Sequence, residues 1–300
     1  MIQPLLHDDA LLADIAAARG TPAPSTRLHL WWLGQSGYLL QTPGLHLLID
    51  PYLSDSLTRK YAGTDKPHVR LSARVVDPAR LDFIDVVTSS HSHTDHLDPD
   101  TLRPLAASNP LLLLLCPRSQ LALARERSGL PGDRLVGLDA PPAPQSEPAF
   151  RHPTLPLRIH AVPAAHETLD RDADGHLACL GYVFEFGSFR IYHSGDTLRY
   201  DDMVERLRPF APDLAILPIN GRAPERRVAG NLSGPEAAQL AHDIRARLVL
   251  PCHYDLFDFN TASPDAFTDA CRRLNQPFQI LQLGERLTLH PGPGSGSATP

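Results

Sequence analysis

Residues 90–98 read Ser-His-Ser-His-Thr-Asp-His-Leu-Asp, so four side chains able to hold a metal ion, His91, His93, Asp95 and His96, fall within six positions. Neutral imidazole and carboxylate suit zinc, manganese and iron alike. Alternate residues of an extended segment project to the same side, so His91 and His93 can reach one ion together. Asp95 and His96 lie past the turn, where they can face a second ion beside the first. The apolar run at residues 83–87 reads as a buried strand that delivers the loop, and Asp98-Pro99 reads as the start of a helix. Polar groups at a strand's end also make ordinary loops, but packing alone does not call for three histidines and an aspartate in one of them.

Three further loops carry ligand chemistry: Ala164-Ala165-His166-Glu167, Ser194-Gly195-Asp196-Thr197 and Pro251-Cys252-His253-Tyr254. Singly each is weak, because an Asp after Gly is usually a turn residue and a loop His is usually solvated. Each lies just beyond an apolar run, as His91 does, and that shared placement joins them to the first cluster.

The elements that must position these loops follow from periodicity and turn chemistry. Residues 8–19 read as a helix capped by Asp8, with Leu11, Leu12 and Ile15 as its apolar stripe and Gly20 as its stop, followed by a Pro-rich linker at 21–25. Residues 28–33, 38–41 and 45–49 form a β-meander. Strand and helix then alternate: strands at 83–88, 111–116 and 134–138, helices at 99–107 and 118–127. The Pro-rich stretch 140–156 marks a boundary between halves. The second half has strands at 157–162, 178–186, 189–193, 214–218, 248–251, 278–281 and 286–289. Its helices lie at 201–207, 233–244 and 263–274, the middle one opened by a Ser233/Glu236 capping box. Each half runs strands first and strand–helix alternation second. The pattern predicts an α/β fold in which two mixed sheets pack face to face with helices outside, a four-layer αββα sandwich. The expected organisation is an N-terminal helix and linker (1–27), the main domain (28–290) and a disordered Gly/Ser/Pro-rich tail (291–300).

Composition excludes little but points one way. The 300 residues carry a formal net charge of −6 and no Lys/Arg-rich arm, which argues against a general nucleic-acid binder. Cys116, Cys179, Cys252 and Cys271 are scattered without a CxxC pair, as in a reduced protein. The start of the chain shows no basic-then-apolar signal, and the aliphatic run 111–115 is far shorter than the ~20 residues a membrane span needs. The expectation is a cytoplasmic protein with no membrane or nucleic-acid partner.

Taken together, His91-x-His93-x-Asp95-His96 followed by His166, Asp196 and His253 resembles the full ligand signature of the metallo-β-lactamase-fold hydrolases, and Leu48-Ile49-Asp50-Pro51 is similar to that superfamily's Asp-ending strand. The likeness spans residues 28–289. Residues 50–55, 192–197, 218–222, 230–233 and 251–257 are similar to the L-ascorbate-6-phosphate lactonase branch. The resemblance implies a site for two divalent ions, manganese or zinc, with iron a third option. His91, His93 and His166 would hold one ion, Asp95, His96 and His253 the other, and Asp196 would bridge them. Asp50 would accept an N–H from a ligand histidine. It implies hydrolysis of an ester or lactone in a small anionic substrate, sugar-derived and phosphorylated in that branch, by a hydroxide whose water is acidified to about pH 7 at such metals. Asp95 or Asp196 would orient the water and take its proton. A homo-oligomer is implied as well. A phosphodiesterase or nuclease of the same fold is the alternative.

For substrate contacts the branch motifs single out His193, Asn220, Arg222, Asn231 and Tyr254, with Arg222 suited to a phosphate or carboxylate fork. Arg226 and Arg227 divide evenly between substrate binding and a solvated loop. Lys60, Tyr61, His68 and Arg70 read as a plain surface loop in preference to a lid. Trp31-Trp32 alternate across a strand, one ring in the core and the other under the N-terminal helix.

Overall fold

The computed structural model describes residues 1–19, 27–143 and 147–291. In chain order its elements are α1 (Asp8–Arg19), β1 (Leu28–Gly34), β2 (Gly37–Thr42), β3 (Leu45–Ile49), α2 (Ser56–Tyr61), β4 (Val86–Thr88), α3 (Pro99–Ser108), β5 (Leu113–Pro117), α4 (Leu121–Ser128) and β6 (Leu135–Leu138). The second half contributes β7 (Phe150–Arg151), β8 (Leu157–Pro163), β9 (Leu180–Phe186), β10 (Phe189–His193), α5 (Met203–Leu207), β11 (Leu214–Pro218), α6 (Gly234–Asp243), β12 (Val249–Cys252), α7 (Asp265–Leu274) and β13 (Arg286–Leu289).

These strands form two mixed sheets, β13-β1-β2-β3-β4-β5-β6 and β12-β11-β10-β9-β8-β7. In each, an antiparallel meander feeds a parallel run: β3, β4, β5 and β6 are parallel neighbours in the first, β10, β11 and β12 in the second. Parallel strands covered on both faces should read as continuous aliphatic runs, and β5, β11 and β12 do so. One apolar cluster runs through both sheets, from Trp31 and Leu48 to Phe184 and Ile216. Helix α4, with α3 packed beside it, covers β5 and β6 of the first sheet, and α6, paired with α7, covers β11 and β12 of the second. Buried hydroxyls cross between the sheets: Tyr182 donates to the Ser89 carbonyl at 2.9 Å and Tyr38 to the Pro251 carbonyl at 3.2 Å. The α/β sandwich expected from the pattern is the observed fold.

The differences are local. Residues 278–281 form no strand; they meet β12 at the single bridge Val249–Phe278. Pro277, whose carbonyl accepts from Val249 N, has no N–H to extend a ladder. The Pro-rich stretch 140–156 contains β7, a two-residue strand on β8. Residues 53–77 hold the short helix α2. Of the Trp pair, Trp31 donates to Asp14 of α1 at 2.9 Å, while Trp32 stacks on Tyr254 at 4.8 Å between centroids. The expected stop at Gly20, the linker 21–25 and all of the expected tail but Pro291 lie outside the described residues. No helix among the described residues is long and apolar enough to cross a membrane.

Candidate metal centre

The chemistry-bearing loops leave the same ends of the strands. β3 ends at Asp50, β4 at the loop holding His91, His93, Asp95 and His96, β8 at His166, β10 at Asp196 and β12 at His253. The edge past the strands' C-termini is where open α/β sheets present their ligand sites. The loop after β4 closes on itself through His96 N and Leu97 N, which both donate to the His93 carbonyl. Asp98 then caps α3, accepting from Asp100 N and from the Thr101 hydroxyl. Close approach of the two halves needs a glycine: Gly195 has φ +61°, and a Cβ there would stand 2.6 Å from Ser90 Cβ.

Three groups of ligand atoms result, each with its members within 4.8 Å of one another: His91, His93 and His166; Asp95, His96 and His253; and His91, His96 and Asp196. Asp196 thus joins a member of each of the first two groups. Its Oδ2 is 3.1 Å from His253 Nε2 and 3.8 Å from His166 Nε2, and its Oδ1 is 3.4 Å from His96 Nε2.

Hydrogen bonds from behind choose the imidazole tautomers. Asp50, wholly buried, accepts from Ser90 N at 2.8 Å, from the Ser90 hydroxyl, and from His96 Nδ1 at 2.6 Å. Ser90's only hydroxyl proton goes to Asp50, so the 3.0 Å contact of Ser90 Oγ with His91 Nδ1 must be donated by the imidazole. His166 Nδ1 donates to the Gly230 carbonyl at 3.1 Å. In all three rings Nε2 is turned towards the cluster. A ligand histidine fastened through its other nitrogen is the usual support of a metal site.

The electrostatics fit a cation. Burial, followed by the neighbouring His96 and His93, drives the His91 pKa well below its ordinary value, and burial also lowers that of His166, so both present lone pairs. Burial works against charge on Asp196, Asp95, His96 and His253 too, but there their mutual attraction wins. Asp196 is held well below the usual carboxylate range and Asp95 is lowered, by His253 and His96; His96 is raised well above its ordinary value and His253 raised, by Asp196 and Asp95. His91 Nε2, His96 Nε2 and Asp196 Oδ1 are buried without a hydrogen-bond partner. Leaving such groups unmatched costs about 1–3 kcal/mol each, and a divalent ion is the partner this donor set suits.

The substrate contacts expected from the motifs lie elsewhere. His193 is fully buried, donating from Nε2 to the Ser36 carbonyl and accepting Gly195 N at Nδ1, so it braces the Asp196 loop. Asn220 and Asn231 are buried and bonded to each other. Arg222 forks onto Glu236 at the start of α6, at 2.5 and 3.0 Å. Tyr254 faces a separate cavity of about 240 Å³ with Trp32 and Leu283. The cavity over the candidate ligand cluster, about 400 Å³, is walled instead by Lys60, Tyr61, His68, Arg127, Phe257 and Phe259. A loop without hydrophobic periodicity hid the first three. Gln35 was missed as well: flanked by Gly34 and Ser36-Gly37 it reads as a turn. It holds φ +51° and donates from its amide to Asp95 Oδ2 at 2.8 Å. Its backbone carbonyl accepts from His253 N at 3.1 Å, so it fixes Asp95 by its side chain and His253 by its backbone.

Residues 46–254 match the model of the beta-lactamase superfamily domain. A UPF0173 metal-dependent hydrolase of Myxococcus xanthus is 26% identical, over 89% of this chain and 89% of its own length. Among solved structures, Igni18, a metallo hydrolase from Ignicoccus hospitalis, aligns over 88% of this chain and 99% of its own at TM-score 0.63 and 21% identity. The isothiocyanate hydrolase from Delia radicum gut bacteria aligns over 88% and 100% at 0.66 and 20% identity. The domain match covers both halves of the candidate ligand cluster, from the Asp50 strand end to His253, and the chain belongs to the beta-lactamase superfamily.

Proposed function

We propose that this protein opens an ester or lactone bond in a small substrate, using two divalent ions, manganese, zinc or iron, held by His91, His93 and His166 on one side and Asp95, His96 and His253 on the other, with Asp196 between them. The observation that carries the reading is the convergence of these seven side chains in one cluster, with buried, unpartnered nitrogens on His91 and His96, at the floor of a cavity that His93, Asp95, His166, Asp196 and His253 line. When bound, such ions acidify a water and polarise a carbonyl.

The chain's own residues do the rest. Asp50, Ser90 and the Gly230 carbonyl keep three imidazoles in the ligating tautomer. Asp95, fixed by the Gln35 amide, orients the attacking water and accepts its proton, and the opposite wall of the cavity holds the substrate while excluding bulk water. A preorganised set of this kind needs no rearrangement as charge develops, which is where much of catalysis resides.

Elemental analysis of protein purified without chelator, followed by a lactone panel, tests this. Close to two ions per chain and lactone turnover lost on chelation and restored by metal are expected. Metal-free protein with undiminished turnover overturns the mechanism. Activity on bis-p-nitrophenyl phosphate but on no lactone overturns the choice of bond.

A further inference from the structure

The wall of the cavity facing the metal cluster is aromatic, and the metal chemistry does not use it. Tyr61 and His68 lie stacked at 4.1 Å between centroids and 14° between planes. His68 meets Phe259 edge-on at 4.5 Å and Phe257 at 5.2 Å. Phe257, with Tyr52, Leu57 and Leu256, belongs to a small apolar cluster separate from the core of the sandwich, and Tyr61 and Phe259 pack against it. The wall is rigidly mounted: Leu71 N donates to the Leu256 carbonyl at 2.8 Å, Asp258 N to the Val69 carbonyl at 3.1 Å, and the Thr58 hydroxyl to the His68 carbonyl at 2.9 Å. The chain has only two lysines, and both border this wall. Lys60 Nζ lies over the Tyr61 ring and Lys66 Nζ over the Phe259 ring, at 5.0 and 4.8 Å, and neither makes an ion pair among the described residues.

A sugar phosphate would ask for something different. It needs donors for several hydroxyls and a cation for the phosphate, for which a guanidinium fork has the matching two-point geometry and a lysine offers only a point charge. Arg127, the arginine that lines the cavity, is engaged on the Ser92 and Leu97 carbonyls, and those of the loop before α6 are engaged too: Arg222 on Glu236, Arg226 on the Asn220 and Thr261 carbonyls, and Arg227 on Asp65.

Building on the ester or lactone reading above, we propose that the Tyr61–His68–Phe257–Phe259 wall binds a flat, apolar ring on the non-reacting half of the substrate, so that the site selects aryl-bearing esters or lactones over sugar lactones. The lysines supply a positive rim that favours the carboxylate released on hydrolysis; each lies over one ring, Lys60 on Tyr61 and Lys66 on Phe259, and a substrate ring meets the wall at the edges and faces they leave free. Offset or edge-to-face contacts with such rings add to the burial of apolar area and need no hydrogen-bonding partner.

Three γ-lactones with the same reacting ring separate specificity from reactivity: γ-butyrolactone, its α-benzyl derivative and ribono-1,4-lactone, each assayed with metal-loaded protein. The expected kcat/KM for the benzyl compound exceeds that for ribonolactone by about tenfold or more. In Phe259→Ala and Tyr61→Ala that ratio falls towards one, chiefly through KM. A preference for ribonolactone, or a ratio indifferent to both substitutions, overturns the inference. If no lactone is opened, the ester or lactone reading has failed and calorimetry with 4-phenylbutyrate decides the wall's role independently. Binding weakened about tenfold in Phe259→Ala upholds it, and no binding to the wild-type protein overturns it.

Discussion

His96 Nδ1 donates to Asp50 Oδ2 at 2.6 Å, with both side chains fully buried, and this one bond ties the end of strand β3 to the ligand cluster. Asp50 also holds Ser90, and Ser90 holds His91, so one carboxylate sets the tautomer of a histidine in each of the two groups. Asp50→Asn keeps the shape but cannot accept three donors as an anion can. Metal affinity is expected to fall by roughly 10–100-fold, read by competition with a chromophoric chelator, while the folded content by circular dichroism stays near wild type.

Metal uptake should release protons. In the metal-free protein Asp196 and Asp95 raise the folded-state pKa values of His96 and His253, which favours protons on these rings that a metal must displace. Their contribution to stability is fully present below the unfolded value of 6.5 and is lost as pH rises through the raised folded values. Asp196 and Asp95 act in the opposite sense. Their depressed values contribute stability above the unfolded 3.8, lost as pH falls through the folded values. The metal-free protein is therefore favoured between the carboxylate range and the raised histidine range, whereas metal binding strengthens with pH. The Tm gain on adding zinc is expected to grow from about pH 5 to about pH 8. Titration calorimetry in buffers of differing ionisation enthalpy should show proton release; a buffer-independent heat would contradict it.

Gly195→Ala tests how tightly the halves are joined. The added methyl would meet Ser90 Cβ at 2.6 Å and Ser90 Oγ at 2.9 Å, and the backbone already sits at φ +61°. The left-handed conformation alone costs a non-glycine residue about 1–3 kcal/mol, and the contact adds to that. A lower Tm is expected together with reduced metal content, because Ser90 and Asp196 flank the same point. At Gly187, in the β9–β10 turn with φ +59°, a Cβ meets nothing within 4 Å. Gly187→Ala should therefore lower Tm less and leave metal content intact.

The placement at strand ends of the residues that converge in the candidate metal centre was legible because each follows a run of aliphatic residues whose pattern marks a strand. The sandwich was legible for the same reason. Gln35 was not, since a glutamine between glycines carries no period and its role comes from Asp95, sixty positions away. The pocket wall was hidden likewise. Tyr61 and His68 sit on α2 and an irregular segment, and only tertiary contact sets them against Phe257 and Phe259. Motif likeness pointed instead to Asn220, Asn231 and His193, whose recurrence is explained equally well by buried hydrogen bonds that shape the loops.

Arg222 separates those two explanations of a motif residue. Its guanidinium is committed to Glu236, which closes the capping box of α6 by accepting from Ser233 N and Oγ at 2.8 Å, and the ion pair raises the Arg222 pKa while lowering that of Glu236. Both partners are partly exposed, so solvent screening limits the pair to about 1 kcal/mol or less. If Arg222 serves the helix, Arg222→Ala lowers stability by that amount and leaves KM for every turned-over substrate within twofold of wild type. If it reached substrate as a phosphate or carboxylate fork, KM for anionic substrates would rise tenfold or more while neutral ones were spared. Steady-state kinetics on one anionic and one neutral lactone, with a denaturation curve on the same preparation, distinguishes the two. The observed geometry predicts the first outcome, because reaching the cavity would require Arg222 to abandon the carboxylate that begins α6.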